Sequence, residues 1–282
     1  MAGSGSGRMS GMLADKLRWR ARQSLGIFRI YIQDGLAYRA QGLIWVLTDV
    51  TTAVIMPQVW MAAGKGAAIQ GYTPGQMILY YLCVILLKSF IVSHFMWDIS
   101  FEIREGIFSS QIIRPMPYLQ FMFTRNMAWR FIRTGIFLPF FVLFTFLYWG
   151  QIQGSHFYLG WEFWLSVLLG HFVSIAIVTA LAMIALFTEE AQAIFELYYV
   201  PAMFLGGELF PVALMPGWVQ AIAHWAPFYY TAAAPTEILI GKVSPEVAGQ
   251  VLMAQAGWIL VGVALFGVLF RAGMKRYSGV GM

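Results

Sequence analysis

Asp49 and Lys88 stand inside apolar runs long enough to cross a bilayer. An unpaired charge at such depth costs at least about 2.5 kcal/mol, so each needs a partner or a polar route. At ~1.5 Å of rise per residue, both lie about 12 to 14 Å into consecutive helices from the same end. Equal depth predicts an Asp49/Lys88 pair, which either only offsets desolvation or forms a polar hinge facing a subunit interface. Glu196 and His171 complete the intramembrane polar set. Both read as hydrogen-bonding groups rather than proton carriers, with Arg130 or Arg133 within reach of Glu196.

Other chemistry lacks its residues. The chain has no GxxxxGK[ST] run to cradle a nucleotide phosphate and no GxSxG elbow for a serine nucleophile. His94, His156, His171 and His224 stand far apart, without an HExxH arrangement. The Glu189-Glu190 pair reads as a turn between spans, and the single Cys83 excludes a disulfide framework. The sequence therefore assigns no catalytic residue, metal or cofactor to this chain.

The elements that position these residues follow from composition. Of 282 residues, 60% are hydrophobic and 11% charged, with a mean hydropathy of +0.69. That balance excludes disorder and a soluble monomer and points to an all-α polytopic membrane protein. The net charge of +5 is scattered between apolar segments, so no nucleic-acid footprint is expected. Six transmembrane helices are predicted near 41–63, 75–97, 129–149, 161–187, 192–213 and 248–270. Basic residues crowd before the first, between the second and third and after the sixth, whereas the opposite loops hold Lys65 and Lys242. The positive-inside rule puts both termini in the cytoplasm, with a multi-pass domain over 41–270 in the cell inner membrane. No short apolar core followed by a cleavage site opens the chain, so the N-terminus is expected to be kept.

Four further segments carry a reading. Residues 1–13 look like a disordered tail and 271–282 like a cytoplasmic one. Residues 14–40 set Leu25, Phe28, Ile32 and Leu36 at near-helical spacing beside Arg18, Arg20, Arg22 and Arg29, which suits an interfacial helix on anionic membrane lipids; the alternative is a basic linker. In 98–114, Ile99, Ile103, Ile107 and Phe108 form an apolar face, Glu102 and Glu105 fall on another, and Pro115 ends the helix. This segment either docks a partner or rests on lipid. Residues 206–241 are too apolar for a solvated loop and too broken by Pro211, Pro216, Pro227 and Pro235 for a span. They predict an outer re-entrant helical hairpin, acting as a cap or as an outer gate. Tyr80, Tyr81, Tyr198 and Tyr199 either line a route for an amphipathic substrate or pack helices.

The basic stretch before the first span, the Ile99–Arg114 segment with its Pro115 and Pro117 exit, and the Gly206-Gly207-Glu208-Leu209-Phe210-Pro211 start of the hairpin occur in an order that resembles the permease subunits of type-2 ABC exporters. The likeness is to the branch with a separately encoded ATPase, which includes multidrug and viologen-exporter-like members. It covers nearly the whole chain after the tail. It implies an elbow helix at 14–40, an ATPase-coupling segment at 98–114 and outer gate helices from Gly206. It also implies a second permease, identical or paralogous, and cytosolic ABC ATPase subunits that hold ATP and Mg²⁺. The expected activity is export of an amphipathic or hydrophobic substrate by alternating access. A noncatalytic membrane scaffold and an ion-coupled secondary transporter are the competing classes.

Overall fold

The computed structural model describes residues 5–37 and 39–277. It contains twelve α-helices: α1 (Gly5–Ala37), α2 (Arg39–Ala63), α3 (Pro74–Ile91), α4 (Met96–Arg104), α5 (Ile107–Ile112), α6 (Tyr118–Leu147), α7 (Trp149–Ile152), α8 (Trp161–Ala182), α9 (Ala191–Leu205), α10 (Gly217–Trp225), α11 (Ala233–Leu239) and α12 (Pro245–Met274). Among the described residues, five stretches are long and apolar enough to cross a membrane: Gly42–Ala63, Pro74–Arg104, Tyr118–Leu147, Trp161–Leu186 and Pro245–Met274. The protein is an all-α polytopic membrane protein.

Local sequence explains where these helices start. Thr73 accepts from the Gln76 backbone N–H while the Gln76 side chain accepts from the Thr73 N–H, each at 3.2 Å, and Pro74 takes the first helical position of α3. At α12 the Ser244 side chain accepts from the Val247 N–H and Pro245 takes the first helical position, without a reciprocal bond. Packing then builds two cores. One joins α3 to α2, α6 and α11, and the other gathers α4, the start of α6, the end of α8 and α9. Helix α12 lies along α8. The turn before α3, the segment joining α7 to α8 and the end of α11 meet at one end of the bundle, where Lys242 Nζ donates to Gly71 O at 2.6 Å and Tyr158 N to Leu239 O at 2.7 Å. The opposite end gathers α4, α5, the start of α6 and the end of α12, with Ser109 and Tyr277 hydroxyls 2.8 Å apart.

Several boundaries differ from the sequence reading. Residues 5–13, expected as a disordered tail, continue α1, because once a helix is nucleated each added residue adds a hydrogen bond. Residues 1–4 of that tail, Tyr38 and residues 278–282 lie outside the described residues. The fifth apolar stretch ends as a helix at Leu205, 15 residues long, because Gly206-Gly207 turns the chain with Gly207 at φ +76°. The second is interrupted at Val92–Phe95, and the 98–114 segment is broken at Gly106 with φ +73°, a conformation that favours glycine. Between 206 and 241 the chain forms a 3-10 turn (Val212–Leu214), then α10 and α11. Helix α10 exposes Trp218, Ile222 and Trp225 along one side.

Candidate functional site

Three helices and the turn after α9 bring a chain of alternating charges together inside the bundle. Lys88, in the last turn of α3, donates to Glu208 Oε2 at 2.5 Å and stands 3.7 Å from Asp49 Oδ1 on α2. The second Asp49 oxygen accepts from Arg133 Nη2 on α6 at 2.5 Å. The order is thus Arg133, Asp49, Lys88, Glu208, two bases and two acids, all with side chains no more than 11% exposed. The sequence reading pointed to Asp49 and Lys88 alone and placed Glu208 in an outer gate. Because α9 stops after 15 residues, Glu208 reaches Lys88.

Beside this chain lies a cleft of about 70 Å³ lined by Thr48, Asp49, Thr52, Tyr199, Met203 and Glu208, among others. Pockets that enclose drug-sized ligands run to roughly 300 to 1,000 Å³, so this cleft alone holds only water or a small polar group. Of the four tyrosines proposed for a substrate route, only Tyr199 lines it. Tyr198 packs against Phe228 at 5.2 Å between centroids. Tyr80 and Tyr81 are fully buried and donate to Gly207 O and Leu209 O, both at 2.8 Å. Their phenols hold the turn after α9, which matches the packing alternative of the sequence reading.

That turn is tightly built. A Cβ on Gly207 would lie 2.4 Å from the Tyr80 hydroxyl and 2.8 Å from the Ala233 Cβ, and one on Gly206 would lie 2.4 Å from Ala202 O. Phe210 stacks on Phe204 and meets Trp60 edge-on, and Pro211 is buried and caps the 3-10 turn.

Next to the turn, outside the five long apolar stretches, Glu237 on α11 is buried among Tyr72, Tyr80 and Tyr229. Tyr229 donates to its Oε2 at 2.8 Å, while Oε1 has no hydrogen-bond partner among the described residues. Burial raises this carboxyl to about 7, against the opposing effect of the tyrosine hydroxyls and Lys242. A carboxyl raised on folding contributes most stability when protonated, and that contribution falls as pH rises from about 4.5 to about 7, by about 3 kcal/mol in all. Thermal melting of the detergent-purified protein is therefore expected to weaken between pH 5 and pH 8, with Glu237→Gln flattening the slope. An unchanged slope in the variant would assign it to another group.

His171 and Glu196 separate. His171 is buried on α8, with Nδ1 3.0 Å from Ile91 O and its ring stacked on Phe90. Glu196 is exposed on α9 and has no ion-pair partner among the described residues. The expected Arg133 partner is engaged by Asp49, and the Arg130 guanidinium donates to Val92 O.

At the end that carries α4 and α5, the proposed coupling residues divide by burial. Ile99, Ile103 and Phe108 point into the protein's own core, and Glu102 accepts from Arg125 Nη1 at 2.6 Å and Tyr118 Oη at 2.8 Å. Ile99, Ile103 and Phe108 pack in the core shared with the end of α8 and α9, while Arg125 and Tyr118 of α6 hold Glu102. The exposed strip is instead Phe101, Arg104, Glu105, Ile107, Ile113 and Arg114, with Ile113 82% exposed. Exposure could not be read from the spacing alone, because both faces of the segment are amphipathic enough to look free.

Among the described residues, no group of three or more His, Cys, Asp or Glu could hold a metal. Five long apolar helical stretches around a buried, self-compensating charge chain define a polytopic membrane protein. The chain belongs to the ABC-2 family of transporter proteins, whose family model matches residues 50–281. No curated protein matches it significantly.

Proposed function

We propose that this chain is the permease subunit of an ATP-driven exporter, moving an amphipathic or hydrophobic substrate outward by alternating access. The observation that carries the reading is the exposed strip from Phe101 to Arg114, at the end of the bundle where the basic residues cluster, in a chain with no phosphate-binding loop of its own. That strip is the docking surface for a cytosolic ABC ATPase, which supplies the ATP and Mg²⁺ chemistry. Helix α9 serves as a short fifth span, making six with the five long stretches, and residues 206–241 dip into the outer leaflet and return. Both termini then face the cytoplasm across the cell inner membrane.

A second permease, identical or paralogous, completes the route. A cleft of about 70 Å³ cannot enclose an amphipath, and α9 leaves Ile194, Leu197, Val200 and Phe204 exposed beside it. Facing two such surfaces would close a larger cavity around Tyr199 and the charge chain. Helix α1 supports a lipid contact: Leu17, Trp19, Leu25, Ile30 and Leu36 are exposed on a helix that also carries Lys16, Arg18, Arg22 and Arg29.

Inverted vesicles from cells that express the chain with its ATPase test this reading, using a panel of fluorescent amphipaths of either charge sign. Uptake is expected only with hydrolysable ATP. Uptake driven by an imposed proton gradient without nucleotide would indicate a secondary transporter, and movement of no probe under either condition would favour a scaffold; either result overturns the proposal.

A further inference from the structure

Helices α3 and α4 would make one apolar stretch of 31 residues if the chain between them were helical. The four residues that interrupt it, Val92, Ser93, His94 and Phe95, include neither Pro nor Gly, the usual causes of a break. The interruption therefore comes from side chains of neighbouring helices that take over its backbone groups. From α8, His171 Nδ1 lies 3.0 Å from Ile91 O and Ser174 Oγ accepts from Ser93 N at 2.8 Å. From α6, the Arg130 guanidinium donates to Val92 O and Asn126 Nδ2 donates to Ser93 Oγ at 3.0 Å. The spacing is three residues on α8 and four on α6, so each pair occupies one helix face.

Arg130 is 2% exposed and has no carboxylate within ion-pair distance among the described residues. Its charge instead sits at the C-terminal end of α3, where unsatisfied carbonyls favour a cation. Helix α6 also carries Arg125, bound to Glu102 and Asp98 of α4, and Arg133, bound to Asp49. Lys88, whose carbonyl accepts from Val92 N, lies directly before the break and holds Glu208. Through Arg125, Arg130 and Arg133, α6 thus contacts α4, the break and the charge chain in succession.

We propose that Val92–Phe95 is a hinge that passes movement of α4 to Lys88, Glu208 and the turn at Gly207, with Arg130 and His171 as the positioning residues that hold it bent. This rests on the transport reading for the source of the movement, although the hinge itself is a property of this chain. Releasing the two carbonyls lets the helical ladder run on through residue 95, swinging α4 away from α6.

The test begins with the chain alone. In a Cys83→Ser background, nitroxides at Phe101 on α4 and Leu138 on α6, both exposed, are read by pulsed electron resonance in nanodiscs. A single short-distance population is expected for the parent, and a second, longer one for Arg130→Gln and for His171→Phe, with Arg130→Lys restoring the first. An unchanged distribution in folded variants overturns the hinge whatever the protein transports. Should Arg130→Gln fail to fold, Ser93→Ala with Asn126→Ala loosens the same segment without removing the charge. With the ATPase bound, Arg130→Gln is expected to keep nucleotide hydrolysis while the substrate moved per ATP drops roughly tenfold or more. Hydrolysis and transport falling together, in proportion to folded protein, would show a purely structural role.

Discussion

Replacing Lys88 with Met is expected to abolish most of the folded protein, because Asp49 and Glu208 then lose their shared cation inside an apolar bundle. Removing one partner of a buried ion pair costs about 3 to 5 kcal/mol, a large share of a typical net stability. The rescue pattern separates a four-membered chain from an isolated pair. Lys88→Met with Glu208→Gln leaves Asp49 on Arg133 at 2.5 Å, so most of the folded yield should return. Lys88→Met with Asp49→Asn leaves Arg133 and Glu208 each without a partner, so it should fail as badly as the single change. Monodisperse yield on size exclusion, together with thermal melting in detergent, reads the difference. Recovery in the second double variant but not the first would mean that Asp49 and Lys88 pair alone.

The second large effect separates two glutamates three residues apart. Glu102→Ala strips Arg125 of its shortest partner and Tyr118 of its acceptor, leaving Arg125 with Asp98 at 3.3 Å. A loss of about 3 kcal/mol is expected, with α4 parting from α6. Glu105 is 48% exposed and meets only its neighbour Arg104 at 3.4 Å. Glu105→Lys should therefore change stability by no more than about 0.5 kcal/mol while weakening ATPase binding, and Phe101→Ala and Ile113→Asp should do the same. Pull-down of the ATPase normalised to folded permease separates the two classes. A Glu102 variant that folds normally and alone loses the ATPase would move the docking surface to the buried face.

These contrasts show what a sequence of this kind makes legible. The long apolar stretches can be read by composition, because lipid demands the same chemistry along the whole of each one. The depth of Asp49 and Lys88 could be read as well, since it needs only a count of residues from a helix end. Glu208 could not, because its place depends on α9 stopping at Leu205 rather than continuing through an apolar run that reads as a span. The break at Val92 has no local signal, being imposed by Arg130, Asn126, His171 and Ser174 from helices distant in sequence. Pattern sets Glu102 on a polar face but does not show what packs on it, and Arg125 on α6 supplies that. Composition and periodicity therefore place the elements, while long-range polar pairing decides which side chains remain available for function.

The claim that this chain works through a cytosolic ATPase is tested most directly by a photoreactive amino acid at position 113, activated in intact membranes. Ile113 is the most exposed large apolar side chain of the strip. The adduct should be a soluble protein that carries a GxxxxGK[ST] phosphate-binding loop, and Glu105→Lys should diminish it. Adducts to lipid alone, in membranes where that ATPase is present and the permease is folded, would contradict the account.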